Sequence, residues 1–243
     1  MQHVGSLEHL SVKNAWLTMG TFDGVHRGHQ EIIRQLTAGA HAQNAPAAVL
    51  TFDPHPVAVL RPDKAPPLLT SAHERAELFA RLGVDIVITH PFNHEVAALS
   101  ARDFLQKLQT HLGFTQFWVG YDFAMGHNRD GNIPTLRQLG AEMGFHLHVV
   151  EPITFDGKTV SSSQIRKLIA AGQMEEVTER LGRPYQLSGI VVEGAKRGRT
   201  IGIPTANLAP DPKRAFPARG VYACRTWINA SPVLAVTNIG LRP

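Results

Sequence analysis

The chain has 243 residues, 43% of them hydrophobic and 18% charged, so it can form one large domain or a full domain followed by a smaller one. No apolar run approaches the roughly 20 residues that a membrane-spanning helix needs, and the first residues lack the pattern of a secretory signal. The single cysteine excludes an intramolecular disulfide framework, and the net charge of +4 favours small anionic ligands over nucleic acid. We therefore expect a cytoplasmic protein that binds neither membranes nor nucleic acid.

Short apolar runs alternate with amphipathic segments over the first 181 residues. The runs predict buried parallel strands at residues 15–19, 47–52, 84–88, 117–119 and 145–150. The segments between them predict helices, and in the first of these Ile32, Ile33, Leu36 and Ala40 share one face. Ser71 and Ser100 are in the pattern of helix caps. The alternation predicts an α/β domain with a Rossmann-like open parallel sheet, which binds ligands at the carboxyl ends of its strands.

The pattern changes after Pro184. Helical periodicity disappears, and β-type runs at residues 186–192, 220–228 and 233–239 alternate with glycine and proline. These runs predict the start of an all-β barrel. We therefore expect two domains, residues 1–182 and residues 183–243. The second is expected to be incomplete, because about 60 residues are marginal for an independent β domain.

The strongest functional motif follows the first predicted strand and opens the first helix. His26 and His29 lie three residues apart at a helix N-terminus, where the helix dipole and free N–H groups favour phosphate. Gly20, Gly24 and Gly28 allow the backbone to approach a ligand closely. A metal site is the alternative, but no further ligand at suitable spacing supports it. The motif predicts an anion site.

Two further loops follow predicted strands. In residues 51–56, Pro54 and Pro56 hold His55 in a rigid turn, so that its imidazole is presented to a ligand. In residues 120–131, three side chains suit a nucleotide-like ligand. The Asp122 carboxylate can accept a hydrogen bond from a hydroxyl, and the Phe123 ring can pack on a flat ligand. The Arg129 guanidinium can pair with phosphate. Both loops are expected at the ligand-binding edge.

A second phosphate motif occurs near residue 160. Ser161 and Ser162 stand at the start of a predicted helix, and Arg166 lies one turn further on. Hydroxyl groups, backbone amides and a guanidinium together suit phosphate, although serine at this position also caps a helix in any protein.

These motifs resemble those of a known family. His26-Arg27-Gly28-His29 resembles the HxGH signature of the nucleotidyltransferase superfamily, and the serine motif resembles its second signature. Over nearly its whole length the chain is similar to the bacterial bifunctional riboflavin kinase/FMN adenylyltransferase family, also called FAD synthetase. The resemblance implies that the first domain transfers AMP from ATP to FMN, giving FAD and pyrophosphate. It implies that the second domain of full-length members phosphorylates riboflavin with ATP.

The resemblance also implies roles for individual residues. His26, His29 and Arg166 would be catalytic. Residues expected to bind ATP are Gly20, Phe22, Asp23, Gly28, Ser161, Ser162 and Arg166. Residues expected to bind the flavin are Phe52, Pro54, His55, Pro56, Asp122, Phe123 and Arg129. The family usually carries an aromatic residue where this chain has Met125.

The resemblance extends to the β-rich end of the chain, through residues 189–194, 197–199 and 202–207. There Thr205 and Asn207 would hold Mg²⁺ and nucleotide phosphate, and hydroxyl and amide oxygens suit that ion. The kinase's catalytic carboxylate lies beyond residue 243 in the family. We therefore expect no competent kinase site in this chain.

Two alternatives remain open at this point. The first is another HxGH nucleotidyltransferase with a different phosphate acceptor. The second is a non-catalytic regulator that binds flavin. In each case the expected partners are small nucleotides and flavins, and the expected state is a monomer or weak oligomer.

Overall fold

The computed structural model describes residues 1–194, 205–228 and 231–240. The chain forms two compact units, Met1–Ser162 and Ser163–Pro243. No helix in the described ranges is both long enough and apolar enough to cross a membrane. The division falls within the helix Ser162–Ala170. The predicted domain boundary after residue 182 stays a prediction.

The first unit alternates strands and helices, as the apolar pattern predicts. Its strands are β1 (Gln2–Val4), β2 (Trp16–Met19), β3 (Ala47–Asp53), β4 (Ile86–Pro91), β5 (Gln116–Gly120), β6 (His146–Val150) and the short pair β7 (Thr154–Phe155) and β8 (Lys158–Thr159). Its helices are α1 (Arg27–Ala42), α2 (Pro56–Leu60), α3 (Ala72–Arg81), α4 (His94–Ala98), α5 (Ala101–Leu112) and α6 (Ile133–Met143). All five predicted strands are confirmed.

Strands β1 to β6 form one parallel sheet in the order β1-β4-β3-β2-β5-β6. The chain passes from β2 through β3 to β4 on one side, and then returns to place β5 on the other side of β2. Ligands bind at such a reversal in open α/β sheets, outside the carboxyl ends of the strands. The fold therefore places the ligand edge at the ends of β2, β3 and β5.

Each face of the sheet is covered by its own hydrophobic core. One core includes Leu105 and Leu108 of α5 and Leu136 of α6. The other includes Ile33 of α1 and Phe79 of α3. The predicted buried face of α1 is confirmed, since Ile32, Ile33, Leu36 and Ala40 are all buried. Burial on both faces explains why the strands have almost continuous apolar sequences.

The predicted helix caps are also confirmed. The Ser71 hydroxyl accepts from the Glu74 amide while the Glu74 carboxylate accepts from the Ser71 amide, which is a complete capping box at the start of α3. The Ser100 hydroxyl accepts from the Asp103 amide at the start of α5.

The second unit is β-rich after two helices, α7 (Ser162–Ala170) and α8 (Met174–Leu181). Its strands are β9 (Gly189–Val192), β10 (Asn207–Pro210), β11 (Gly220–Ile228) and β12 (Ser231–Ile239). They form two antiparallel pairs, β9 with β10 and β11 with β12. The predicted change from α/β to β structure is thus confirmed, and in the described part of the unit it takes the form of two ladders.

Gly39 of α1 allows the helix to lie against Trp16 of β2. A Cβ atom at Gly39 would overlap the Trp16 ring, which itself stacks on Trp118 with centroids 4.9 Å apart. We expect Gly39→Val to lower the free energy of unfolding by about 1–3 kcal/mol, because an overpacked core must displace its neighbours. Urea denaturation measures the change. Ala38→Val adds the same side chain at an exposed position of α1 and is the matched control; equal stability of the two variants would contradict the assignment.

Candidate active site

The loop that follows β2 carries the predicted anion motif and is anchored to the neighbouring strand. The Gly20 amide donates to the Leu50 carbonyl at 3.1 Å, and the Thr51 hydroxyl donates to the Thr21 carbonyl at 3.1 Å. We refer to residues 20–29 as the phosphate loop. Its attachment to β3 places it at the carboxyl edge of the sheet, beside the loop that follows β3.

The phosphate loop contains three residues with positive φ within four positions. Phe22 has φ +46°, Gly24 has φ +85° and Val25 has φ +41°. A β-branched residue in the left-handed region is disfavoured by its Cβ, and such strain concentrates at functional sites. The loop therefore depends on surrounding contacts to hold its shape.

Asp23 supplies most of those contacts. Its carboxylate is buried and accepts hydrogen bonds from the amides of Leu69 and Thr70, each at 3.0 Å, and from the Thr70 hydroxyl at 3.2 Å. The Gly24 amide donates in turn to the Thr70 hydroxyl oxygen at 3.0 Å. The sequence predicts an ATP contact for Asp23, which stays a prediction. The contacts themselves show a residue that fixes the loop to the segment before α3.

His26 and His29 form a stacked pair at the N-terminus of α1. Their ring centroids are 3.6 Å apart with an interplanar angle of 20°. His26 is the N-cap residue, and its Nδ1 accepts from the His29 amide at 3.4 Å. A Cβ at Gly28 would lie 3.3 Å from the His26 ring, so glycine leaves room for the imidazole at this position. The motif thus brings both rings to a helix N-terminus, as its spacing predicts.

His29 is held in an uncharged state by its surroundings. Burial lowers the pKa of His29 well below the ordinary 6.5, and the nearby His26 lowers it further. Phe22 packs edge-on against the His29 ring at 5.1 Å. The Nδ1 atom of His29 is enclosed and has no hydrogen-bond partner among the described residues, whereas the residue as a whole is partly exposed. Nε2 is therefore the ring nitrogen left open to a ligand, and the contact of His29 with phosphate stays a prediction.

The second phosphate motif begins beside the phosphate loop. The Ser162 hydroxyl donates to the Asp23 carbonyl at 2.8 Å, and Ser161 is half-buried just before α7 begins. The first unit therefore places Ser162 next to Asp23. Arg166 lies one turn further along α7 and belongs to the second compact unit. Its convergence with the two imidazoles stays a prediction.

In the loop after β3, a hydrogen bond to the backbone fixes the position of the predicted site residue His55. His55 is the N-cap of α2, and its Nδ1 accepts from the Val57 amide at 3.2 Å. Pro54 follows a cis peptide bond and is exposed, and Pro56 is the first residue of α2. Phe52 is half-buried and packs edge-on against Phe92 at 5.3 Å. We refer to residues 52–56 as the flavin-side loop.

The loop after β5 combines exposed polar groups with apolar anchors. Asp122 and Arg129 are exposed, and the Arg129 guanidinium donates to the Asp122 carbonyl at 3.3 Å. Phe123 packs edge-on against Phe117 at 5.9 Å, at the margin of the core. Met125 is itself buried in that core. Because its side chain faces inward, Met125 serves as an anchor of the loop in this structure.

Arg75 is a functional candidate that the sequence analysis missed. Its guanidinium is buried, although it lies on an amphipathic helix where a charged residue normally indicates a solvated face. It donates to the Phe52 carbonyl at 2.9 Å and to the Thr70 carbonyl at 3.3 Å. The spacing of residues along α3 carries no signal for these contacts, since both partners come from other segments.

The predicted magnesium ligands of the β-rich unit lie at the start of β10. Thr205 is exposed, and Asn207 is half-buried in register with Val192. Residues 197–199 and 202–204, which carry part of the sequence resemblance, lie outside the described residues. In the described ranges no group of three or more His, Cys, Asp or Glu side chains is arranged to hold a metal ion.

Folding stability is expected to fall as the pH drops below about 6.5. Burial is the main cause that lowers the pKa values of His29, His90 and His148 below 6.5. The unfolded chain therefore binds more protons than the folded one below that pH, so acid favours unfolding. We expect a lower Tm at pH 5.5 than at pH 7.5. Glu8 and Glu31, with pKa values of about 2, do not titrate in this window, and an unchanged Tm would contradict the assignment.

Each of the two parts of the chain matches the model of a known protein family. The model of the FAD synthetase family matches residues 9–164, and the model of the riboflavin kinase family matches residues 181–243. A bifunctional riboflavin kinase/FMN adenylyltransferase of Escherichia coli K12 is 38% identical over 229 residues, which are 93% of this chain and 73% of that protein. The chain belongs to this family.

Two further members of the bifunctional riboflavin kinase/FMN adenylyltransferase family have a comparable sequence identity to this chain. Those of Listeria monocytogenes and Bacillus subtilis are 37% and 36% identical, each over 93% of this chain and 72% of its own length. A crystal structure described as a macrolide-efflux protein from Streptococcus pneumoniae superposes with a TM-score of 0.87. It is 28% identical and covers 98% of this chain and 78% of that one.

The family matches confirm the predicted enzyme class and the predicted fold class, an α/β region followed by a riboflavin kinase-like region. A flavokinase region is present, because its family model matches residues 181–243. That match does not support the expectation that the β-rich part is incomplete.

Proposed function

We propose that this chain transfers AMP from ATP to FMN and so produces FAD and pyrophosphate. The observation that carries the proposal is the phosphate loop, which presents His26 and His29 at a helix N-terminus on the edge where β2 and β5 diverge. The flavin-side loop begins at the end of the adjacent strand β3, and Thr51 of that strand donates to the Thr21 carbonyl of the phosphate loop. An ATP in the phosphate loop would therefore lie beside a second ligand at the end of β3.

The reaction would be a direct displacement at the α-phosphorus. An oxygen of the FMN phosphate forms a bond to that phosphorus, and the bond to the bridging oxygen of pyrophosphate breaks. Such a transfer needs positioning and charge neutralisation more than it needs a protein nucleophile. His26 and His29 would contact the ATP phosphates. Ser161, Ser162 and Arg166 would hold the β- and γ-phosphates.

The neutral state of His29 defines what it can contribute. A neutral imidazole donates a single hydrogen bond, so Nε2–H would stabilise the negative charge that develops as pyrophosphate leaves. Bound phosphates also favour the charged form of a nearby imidazole, so ATP is expected to raise the pKa of His29. The ring is held in its packed orientation by its contacts with Phe22 and His26.

Magnesium is part of the proposal because ATP is its usual partner in phosphoryl chemistry. In the kinase-like β-rich unit the hydroxyl oxygen of Thr205 and the amide oxygen of Asn207 are hard donors of the kind that Mg²⁺ accepts; Asn207 is the first residue of β10 and Thr205 lies two residues before it. These two residues would hold the ion with the phosphates of a nucleotide. The metal would supply charge neutralisation.

The deciding experiment is incubation with FMN, ATP and Mg²⁺, with FAD and pyrophosphate as the products followed. Formation of both in equal amounts supports the proposal, whereas FMN binding without product supports a flavin-binding regulator. If FMN is not a substrate but other phosphate compounds receive AMP, the chain is a nucleotidyltransferase of different acceptor specificity.

A parallel incubation with riboflavin and ATP tests the flavokinase region. The match to the riboflavin kinase family favours this second activity. Riboflavin-dependent release of ADP that is lost in Asn207→Ala would assign the kinase reaction to the region around β10. No riboflavin-dependent release from the unmodified chain would contradict this second activity.

A further inference from the structure

The guanidinium of Arg75 joins the end of β3 to the segment that directly precedes α3. The side chain is 2% exposed, and its two terminal nitrogens donate to carbonyl groups on different segments. Nη2 bonds the Phe52 carbonyl, where the flavin-side loop begins, and Nη1 bonds the Thr70 carbonyl before α3. A guanidinium presents its donors in a fixed planar fork, so two such bonds fix the spacing of their acceptors.

The Thr70 side of this arrangement continues into the phosphate loop. The amide and hydroxyl of Thr70 both donate to the Asp23 carboxylate, and the same hydroxyl oxygen accepts from the Gly24 amide. Arg75 is therefore two hydrogen-bonded steps from the loop that carries His26 and His29. On its other side it is bonded directly to the loop that carries His55.

We propose that Arg75 is a positioning residue that sets the distance and orientation between the phosphate loop and the flavin-side loop. The inference rests on the proposed adenylyl transfer, which needs the acceptor phosphate in line with the α-phosphorus. Arg75 is enclosed by protein and acts through the backbone of Phe52 and Thr70. A small shift of one loop against the other misaligns the two substrates without removing any group that contacts them.

Steady-state kinetics of Arg75→Gln and Arg75→Lys test the proposal. We expect KM for FMN to rise and kcat to fall, each by about tenfold or more in Arg75→Gln, because a misplacement of about 1 Å can cost on the order of 100-fold. Lysine keeps the charge and can satisfy one carbonyl, so Arg75→Lys should recover part of the loss. Arg81→Gln changes an exposed arginine of the same helix and is the matched control.

A purely structural role for Arg75 predicts a different result. In that case the active fraction would fall with the folded fraction, measured by circular dichroism, while KM for FMN in the folded enzyme stayed at the wild-type value. That outcome, or unchanged kinetics in Arg75→Gln, would overturn the proposal.

Amide hydrogen exchange tests the linkage without any turnover. In the substrate-free Arg75→Gln protein, exchange is expected to accelerate in residues 20–29 and in residues 52–56, and to stay unchanged in α6. Acceleration confined to α3 would contradict the linkage. If the linkage is present but the wild-type chain makes no FAD, the proposed function fails while the positioning role of Arg75 stands.

Discussion

Replacing His29 with alanine is expected to lower the turnover number for FAD formation by about 100-fold or more, the usual cost of losing one preorganised donor. The ring stacks on His26 at 3.6 Å and is fixed from the other side by Phe22, so its Nε2 is aligned before substrate binds. The loss should appear mainly in kcat, because the donor is needed most as charge develops on the leaving pyrophosphate. Single-turnover formation of FAD at saturating ATP and FMN measures the effect.

His73→Ala is the control for the His29 substitution. His73 is an exposed histidine on α3, and its removal should leave the turnover number within about twofold of wild type, as surface substitutions usually do. A His29→Ala enzyme that folds and turns over at the wild-type rate would remove His29 from the reaction.

Replacing Asp23 with alanine is expected to cost both stability and activity. The substitution leaves the amides of Leu69 and Thr70 and the Thr70 hydroxyl without their buried acceptor. Each unpaired buried donor costs about 1–3 kcal/mol, so we expect the free energy of unfolding to fall by about 3 kcal/mol or more. The phosphate loop would also lose the contact that maintains its left-handed residues, and FAD formation should fall by on the order of 100-fold.

Asp23→Asn and Asp63→Ala are the control variants for the Asp23→Ala prediction. Asparagine keeps one acceptor oxygen and should lose less stability than alanine, while Asp63 is exposed and should have little effect. Urea denaturation combined with FAD formation measures both quantities. An Asp23→Ala protein as stable as Asp63→Ala would contradict the assigned role of the carboxylate.

The parallel sheet was predictable because its strands are buried on both faces. Residues 47–52, for example, form an almost continuous apolar run, interrupted by Thr51, that ends one residue before β3 does at the ligand edge. The three-residue strand β1 was not predicted, since Gln2 and His3 are polar and the pairing with β4 involves residues more than 80 positions away. An edge strand of this length has no apolar period to detect.

Within the site, local geometry was predictable and long-range geometry was not. The spacing of His26 and His29 correctly indicates two imidazoles at one helix N-terminus, because both belong to a single turn. The neutral state of His29 depends on burial by distant residues, and a short motif does not encode it. The roles of Asp23 and Arg75 have the same limitation, since the Thr70–Asp23 bond spans 47 positions and the Arg75–Phe52 bond spans 23.

The three tryptophans give the two halves of the molecule separate optical signals. Trp118 is buried and stacks between Trp16 and His148, whereas Trp227 on β11 is 58% exposed. A soluble quencher such as acrylamide should therefore extinguish the emission of Trp227 first and leave the stacked pair bright. Trp227→Phe would leave an intrinsic fluorescence reporter for the parallel sheet alone, so that the melting of the sheet can be followed without an added dye.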